Sequence, residues 1–137
     1  MARKARISAA MAEIMTEGGR HAWTLENLHA SLAERGAQTD FSSVFRAAER
    51  LVTDGIIRKM VLDDGPARFE LVDGHHDHLH CTRCDRLTPV PCAIPPAVFA
   101  AVEARTGGTI LDHQLVFTGV CRSCRSGREP RRRRRPA

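Results

Sequence analysis

Two cysteine pairs, Cys81-x-x-Cys84 and Cys121-x-x-Cys124, carry the clearest chemistry in the chain. A C-x-x-C turn aims two thiolates at one point from a single short loop. Two such turns supply the four sulfur donors of a closed tetrahedral zinc site. The 36 residues between the pairs must fold so that the turns meet, and the metal then ties together the two ends of one small domain. Two disulfides or a redox dithiol are the competing readings. No secretory leader and no thioredoxin-like βαβ pattern accompanies the cysteines, so structural zinc in a reducing, cytoplasmic compartment is expected. A site filled by four sulfurs stabilises and does not catalyse.

The run His75-His76-Asp77-His78-Leu79-His80 stands immediately before Cys81. On a strand, side chains alternate faces, so His76 and His78 share one face while His75 and Asp77 share the other. One strand can therefore feed two metal sites. Imidazole with carboxylate suits Fe²⁺, Mn²⁺, Zn²⁺ or Ni²⁺ better than Cu(I). Solvated histidines on an edge strand are the plainer alternative. The fifth cysteine, Cys92, has no partner and is expected to be a buried free thiol.

The elements that position these residues divide into two parts. Ile7, Met11, Ile14 and Met15 fall at helical spacing until Gly18-Gly19. Thr24 can cap a second helix through Leu25, Leu28 and Leu32, closed by Gly36. Asp40 or Thr39 can cap a third through Phe41, Val44, Phe45, Ala48, Leu51 and Val52, ending at Gly55. The period then changes to that of strands. Ile57 to Leu62 runs into the turn Asp63-Asp64-Gly65-Pro66, and Arg68 to Val72 returns. Three short helices and a hairpin make a winged helix-turn-helix with the Asp40–Val52 helix as the recognition helix. A plain three-helix domain with an incidental hairpin is the alternative.

Beyond Asp73-Gly74, Leu87 to Val90 can pair with the histidine strand. Ala97 to Arg105 reads as a short helix, and Thr109 to Val120 as a hairpin or strand pair leading into the second cysteine turn. The fold class is α+β: a winged helix over 1–72, a hinge at 73–74, and a small α/β domain over 75–125 closed by the four-cysteine zinc. Residues 126–137 form an Arg-rich tail expected to be disordered. That tail carries six Arg against one Glu, so it accounts for the whole net charge of +5 and the body is near neutral. The basic tail can add non-specific attraction to phosphate. No apolar run approaches the length of a membrane span.

These motifs together resemble the ferric uptake regulator (Fur) family of bacterial metalloregulators, from about Ile7 to Cys124. The resemblance is carried by His-Asp-His-Leu-x-Cys-x-x-Cys at 76–84, Cys-x-x-Cys at 121–124, Phe-Glu-Leu at 69–71 and Ser-Val-Phe-Arg at 43–46. It implies a homodimeric repressor of metal-homeostasis genes that binds palindromic operators in double-stranded DNA when its regulatory metal is present. It also implies that the second domain is the dimerisation domain. Carried over by position, the regulatory site falls on His21, Glu70, His76 and His78. A second site falls on His75, Asp77 and His113, but Pro96 stands where relatives place a glutamate. That site is then empty, completed by water, or completed by a carboxylate such as Glu103. Pro89 likewise replaces an acidic residue that some relatives use at the regulatory site. Glu at position 70 favours Fe²⁺ as regulatory metal, with Zn²⁺ or Mn²⁺ as alternatives.

DNA contacts are implied for Ser42, Ser43, Phe45 and Arg46. Arg3, Lys4 and Arg6 stand in for the Thr-x-x-Arg segment of relatives, and Phe45 replaces a usual tyrosine. Periodicity alone places Phe45 equally well in the core. The rival readings are a peroxide sensor of the same family and, from another class, a small zinc hydrolase using the histidines with Glu70 as base. An enzyme is not expected, because two small domains leave little room for a substrate pocket.

Overall fold

Ile7, Met11, Ile14 and Met15 recur at helical spacing, and all four are buried on α1 (Ala2–Glu17). The computed structural model describes residues 2–17, 19–62 and 65–127. The chain divides into two units, Met1–Asp73 and Gly74–Ala137, each with its own packing.

In the first unit, Thr24 caps α2 (Leu25–Glu34). Its hydroxyl accepts from the Asn27 N–H at 3.1 Å, and the Asn27 side-chain oxygen accepts from the Thr24 N–H at 3.1 Å. This reciprocal box satisfies two donors that the first turn would otherwise leave open. Asp40 caps α3 (Phe41–Thr53), accepting from the Ser43 N–H at 2.7 Å and the Ser42 hydroxyl at 3.0 Å. Hydrogen bonds from Ser43, side chain and backbone, and then from Ser42 hold the Asp40 carboxyl at about 2. The turn between the two helices is pinned by His29, whose Nε2 lies 2.8 Å from the Thr39 carbonyl oxygen.

The helices close over Met11, Leu28, Leu32, Val44 and Phe69, all at most 1% exposed. Burial of side chains of this size stabilises a fold by roughly 1.5–3 kcal/mol each. Strands β1 (Ile57–Met60) and β2 (Arg68–Leu71) pair antiparallel, with Arg58 opposite Glu70. Of the turn between them, Asp63 and Asp64 lie outside the described residues; the Gly65 N–H donates to the Leu62 carbonyl at 2.8 Å. Trp23 joins the ribbon by a reciprocal pair with Phe69, N–H to carbonyl at 2.8 and 2.7 Å. Three helices and a two-stranded wing form a winged helix-turn-helix.

In the second unit, β3 (Asp77–Cys81) is the central strand, between β4 (Leu87–Val90) and β5 (Val116–Gly119). β4 runs antiparallel to β3 and carries Pro89, tolerated there because β4 is an edge strand. β5 runs parallel to β3, so the expectation of a hairpin or strand pair over Thr109–Val120 is corrected. Among the described residues only Val116–Gly119 of that stretch is a strand. Parallel strands need a long crossover, and α4 (Pro96–Thr106) with residues 107–115 provides it. Pro96 opens α4 at a position where its missing N–H costs nothing, and Gly107, at φ +70°, ends it in the left-handed region. No residue of α4 is buried, and Val98 and Val102 are 48% and 45% exposed. The last helix, α5 (Arg122–Arg125), carries the second cysteine turn. The Arg run at 131–135 lies outside the described residues. No helix among the described residues is long and apolar enough to cross a membrane.

Candidate metal centres

The sheet brings the two cysteine turns together. Cys81 ends β3, and the Thr82 N–H that follows it donates to the Gly119 carbonyl at the end of β5, at 2.9 Å. That bond sets the 121–124 turn beside the 81–84 turn. The four sulfurs lie within 4.8 Å of one another, and Cys84 and Cys121 Sγ are 3.7 Å apart. Tetrahedral zinc with bonds of about 2.3 Å to sulfur puts adjacent sulfurs about 3.8 Å apart. None of the cysteines forms a disulfide.

Burial pushes the Cys81 thiol up, but N–H groups of Cys121, Cys84 and Arg83 outweigh it and bring the thiol down to about 6. Burial, with the sulfurs of Cys121, Cys84 and Cys81, pushes Cys124 up to about 12. Four such thiols cannot all ionise in one place unless a cation neutralises them, and the donor set is one that zinc fits. His80 belongs to this turn: its Nε2 lies 2.6 Å from Asp85 Oδ1, at the turn's one residue with positive φ.

The wing holds a second group of donors. The Trp23–Phe69 pair sets the preceding segment along β2, and His21 Nε2 lies 2.6 Å from Glu70 Oε2. The other oxygen, Oε1, accepts from Arg58 Nε at 3.0 Å and Nη2 at 2.7 Å. Glu70 is fully buried, so the guanidinium both neutralises and orients it. Arg58 was not singled out from the sequence; its place opposite Glu70 in the hairpin register is the signal that finds it. In the second unit, the His76 and His78 rings stand 4.8 Å apart, centroid to centroid, and His78 faces Pro89 across the strand pair.

The other face of the same strand gathers different donors. His75 and His113 Nε2 are 3.0 Å apart, and His113 Nε2 lies 3.4 Å from Asp77 Oδ1. Asp77 is 1% exposed. Cys92, expected to be buried, is instead exposed, with Sγ 3.6 Å from His113 Nε2. It follows β4 in the Pro-rich connection to α4, which leaves the surface open around it. Glu103, considered for this cluster, accepts instead from the Ile110 N–H at 2.9 Å and closes the chain after α4.

The model of the ferric uptake regulator family matches residues 3–118. The chain belongs to the ferric uptake regulator family. It is 32% identical to the ferric uptake regulation protein of Bordetella parapertussis over 106 residues, 75% of each chain. A zinc-bound manganese uptake regulator is similar in structure, with 28% identity, a TM-score of 0.62 and coverage of 84% of this chain and 87% of that one. The ferric uptake regulator of Francisella tularensis, solved with iron, shares the fold at 22% identity and a TM-score of 0.73, over 88% of this chain and 92% of its own.

Members of the Fur family are transcription regulators, so the hydrolase reading falls. In this Fur-family chain the solvent face of α3 presents Phe41, Ser42, Phe45 and Arg46. Phe45 is 46% exposed, so it is not core. Arg46 Nη2 donates to the Ser42 hydroxyl at 3.4 Å, which holds the guanidinium toward the first turn of the helix. Ser43 is half-buried and its N–H is engaged by the Asp40 cap. Arg3, Lys4 and Arg6 are exposed at the start of α1. Arg50, not foreseen, donates to the Lys4 carbonyl and the Ser8 hydroxyl, both at 3.3 Å, and fastens α1 to α3.

Proposed function

We propose that this chain is a cytoplasmic, metal-responsive repressor that binds a palindromic DNA operator as a homodimer. On this reading His21 and Glu70 of the winged helix and His76 and His78 of the dimerisation domain hold one regulatory metal. The observation that carries it is Glu70: a buried carboxylate with one oxygen fixed by Arg58 and the other beside His21. A buried glutamate arranged this way offers a single oriented oxygen to a cation. Three imidazoles and a carboxylate fit Fe²⁺, Mn²⁺ or Zn²⁺. Iron is favoured, because a glutamate at this position is what iron-sensing relatives carry.

When bound, the metal supplies one point of attraction shared by both domains. The chain supplies the rest. Asp73 and Gly74, the latter at φ +63°, form the hinge between the winged helix and the histidine strand. Metal-free protein then samples many hinge angles, of which the DNA-competent one is a minor fraction. In the dimer that angle sets the separation of the two α3 helices, which must reach major-groove faces about 34–36 Å apart. Ser42 and Ser43 are suited to phosphate, Phe45 to a thymine methyl, and Arg46 to a guanine edge. Val98 and Val102 on α4 and Phe117 on β5, each 45–50% exposed in one chain, suit a second copy as partner.

The test is fluorescence anisotropy with DNA from the protein's own promoter. Protein stripped by a mild chelator that spares the four-cysteine zinc is titrated anaerobically with Fe²⁺, Mn²⁺ and Zn²⁺. Saturable DNA binding that appears with one of these metals supports the reading. Equally tight binding without added metal refutes it.

A further inference from the structure

We propose that Cys92 supplies a thiolate ligand to a second metal site with His75, Asp77 and His113, and that this donor set makes the site one for zinc. The four candidate ligand atoms lie within 4.8 Å of one another, and all four residues belong to the second unit. Asp77 points to a ligand independently of the cysteine. Its side chain is 1% exposed, yet neither carboxylate oxygen has a hydrogen-bond partner. Buried polar atoms are almost always hydrogen-bonded, and a buried carboxylate without donors calls for a cation.

The neighbours of Asp77 are ligands rather than donors held in reserve. His75 and His113 turn the same nitrogen, Nε2, toward the common point, at 3.8 and 3.4 Å from Oδ1. The two nitrogens are 3.0 Å apart, and Cys92 Sγ is 3.6 Å from His113 Nε2. Around tetrahedral zinc, bonds of about 2.0–2.1 Å to nitrogen and about 2.3 Å to sulfur give N···N near about 3.3 Å and N···S near about 3.5 Å. The His75–His113 and Cys92–His113 distances are within a few tenths of an ångström of those edges.

The Fur pattern completes this site with a helix glutamate, and in this chain that position is Pro96. Glu103 is engaged by the Ile110 N–H. Cys92, four residues ahead of Pro96 in the connection from β4, places a sulfur where the oxygen is missing. Exchange of an oxygen donor for a thiolate disfavours Mn²⁺ and Mg²⁺ and favours Zn²⁺. The site would join the start of β3, the connection before α4 and the connection before β5, and so tie α4 to the sheet.

This inference does not depend on the regulatory reading, because the regulatory ligands include no sulfur. The test uses the full-length chain with its four-cysteine zinc retained, as verified by metal analysis. Alkylation of Cys92 by iodoacetamide, mapped by mass spectrometry, is expected to slow at least about tenfold when Zn²⁺ is added, and not to slow in His113→Ala. Co²⁺ in place of added Zn²⁺ is expected to give a near-ultraviolet sulfur-to-cobalt charge-transfer band that Cys92→Ala abolishes. Unprotected Cys92 at saturating Zn²⁺, or a cobalt complex whose band survives in Cys92→Ala, overturns the proposal. The alkylation arm on the unaltered chain needs no variant to fold.

Discussion

Replacement of Arg58 by methionine tests whether the guanidinium is what keeps Glu70 charged and in place. Arg58 makes two hydrogen bonds to Oε1, at 3.0 and 2.7 Å, and each bond to a charged group is worth roughly 1.5–3 kcal/mol. The Arg58 side chain is 30% exposed while Glu70 is fully buried, so water recovers part of the loss and His21 still faces Oε2. About 2–3 kcal/mol of destabilisation is therefore expected in metal-stripped protein, below the range of roughly 3–5 kcal/mol for a fully buried pair. Urea unfolding followed by fluorescence measures it in the right unit, because the chain's single tryptophan is the buried Trp23. Arg58→Met combined with Glu70→Gln removes both charges and should restore all but about 1 kcal/mol, since a neutral amide tolerates burial without a cation. A loss under about 0.5 kcal/mol in the single variant, or an equal loss in the double, would refute the assignment of Arg58 as the counter-charge.

Phe45→Ala and Arg46→Ala should leave stability within about 0.5 kcal/mol, as both side chains are exposed, while weakening operator binding by about 1–3 kcal/mol each; urea melts and anisotropy separate the two effects. Glu70→Gln should leave DNA binding at its metal-free level whichever metal is added, and a metal response equal to the unaltered chain's would count against the regulatory site. Asp40, held at about 2 against an ordinary value of 3.8, stabilises the fold fully above the unfolded value, and that contribution is lost as pH falls through 3.8 toward 2. Thermal melts between about pH 5 and 2 should therefore slope less steeply in Asp40→Asn, which still caps α3 but does not titrate. Cys124→Ser should release the zinc and unfold the second unit, seen as loss of its strand signal and of one zinc per chain, while the Trp23 emission of the first unit stays native.

Much of the first unit was legible because its signals are local. The apolar spacing of α1, the Thr24 and Asp40 caps and the switch at Ile57 each depend on residues a few positions apart. The cysteine pairs were legible for the same reason: each turn is complete in four residues. Features that depend on distant strands were not. Val116–Gly119 reads as half of a hairpin, and only its pairing with β3 across α4 makes it a parallel strand. Arg58 is one charged residue among many until the register sets it opposite Glu70. Cys92 looks like a spare thiol because nothing near it in sequence shows that His113, 21 positions on, comes within 3.6 Å. His80 belongs by sequence to the histidine run, yet its partner is the turn residue Asp85.

The strand that carries the histidines behaves as a ruler with its zero mark at Cys81. A slip of one residue in β3 would exchange its two faces, presenting Asp77 where His78 belongs and stripping both donor sets at once. Leu79 is the one aliphatic side chain of β3, so apolar patterning alone resists such a slip only weakly. The zinc thiolate cluster resists it strongly, because Cys81 is both the last residue of β3 and a sulfur donor. On the proposed reading, the four-cysteine metal, which takes no part in sensing, keeps count for the regulatory one, and an insertion of a single residue between His78 and Cys81 is expected to silence the protein without touching a ligand.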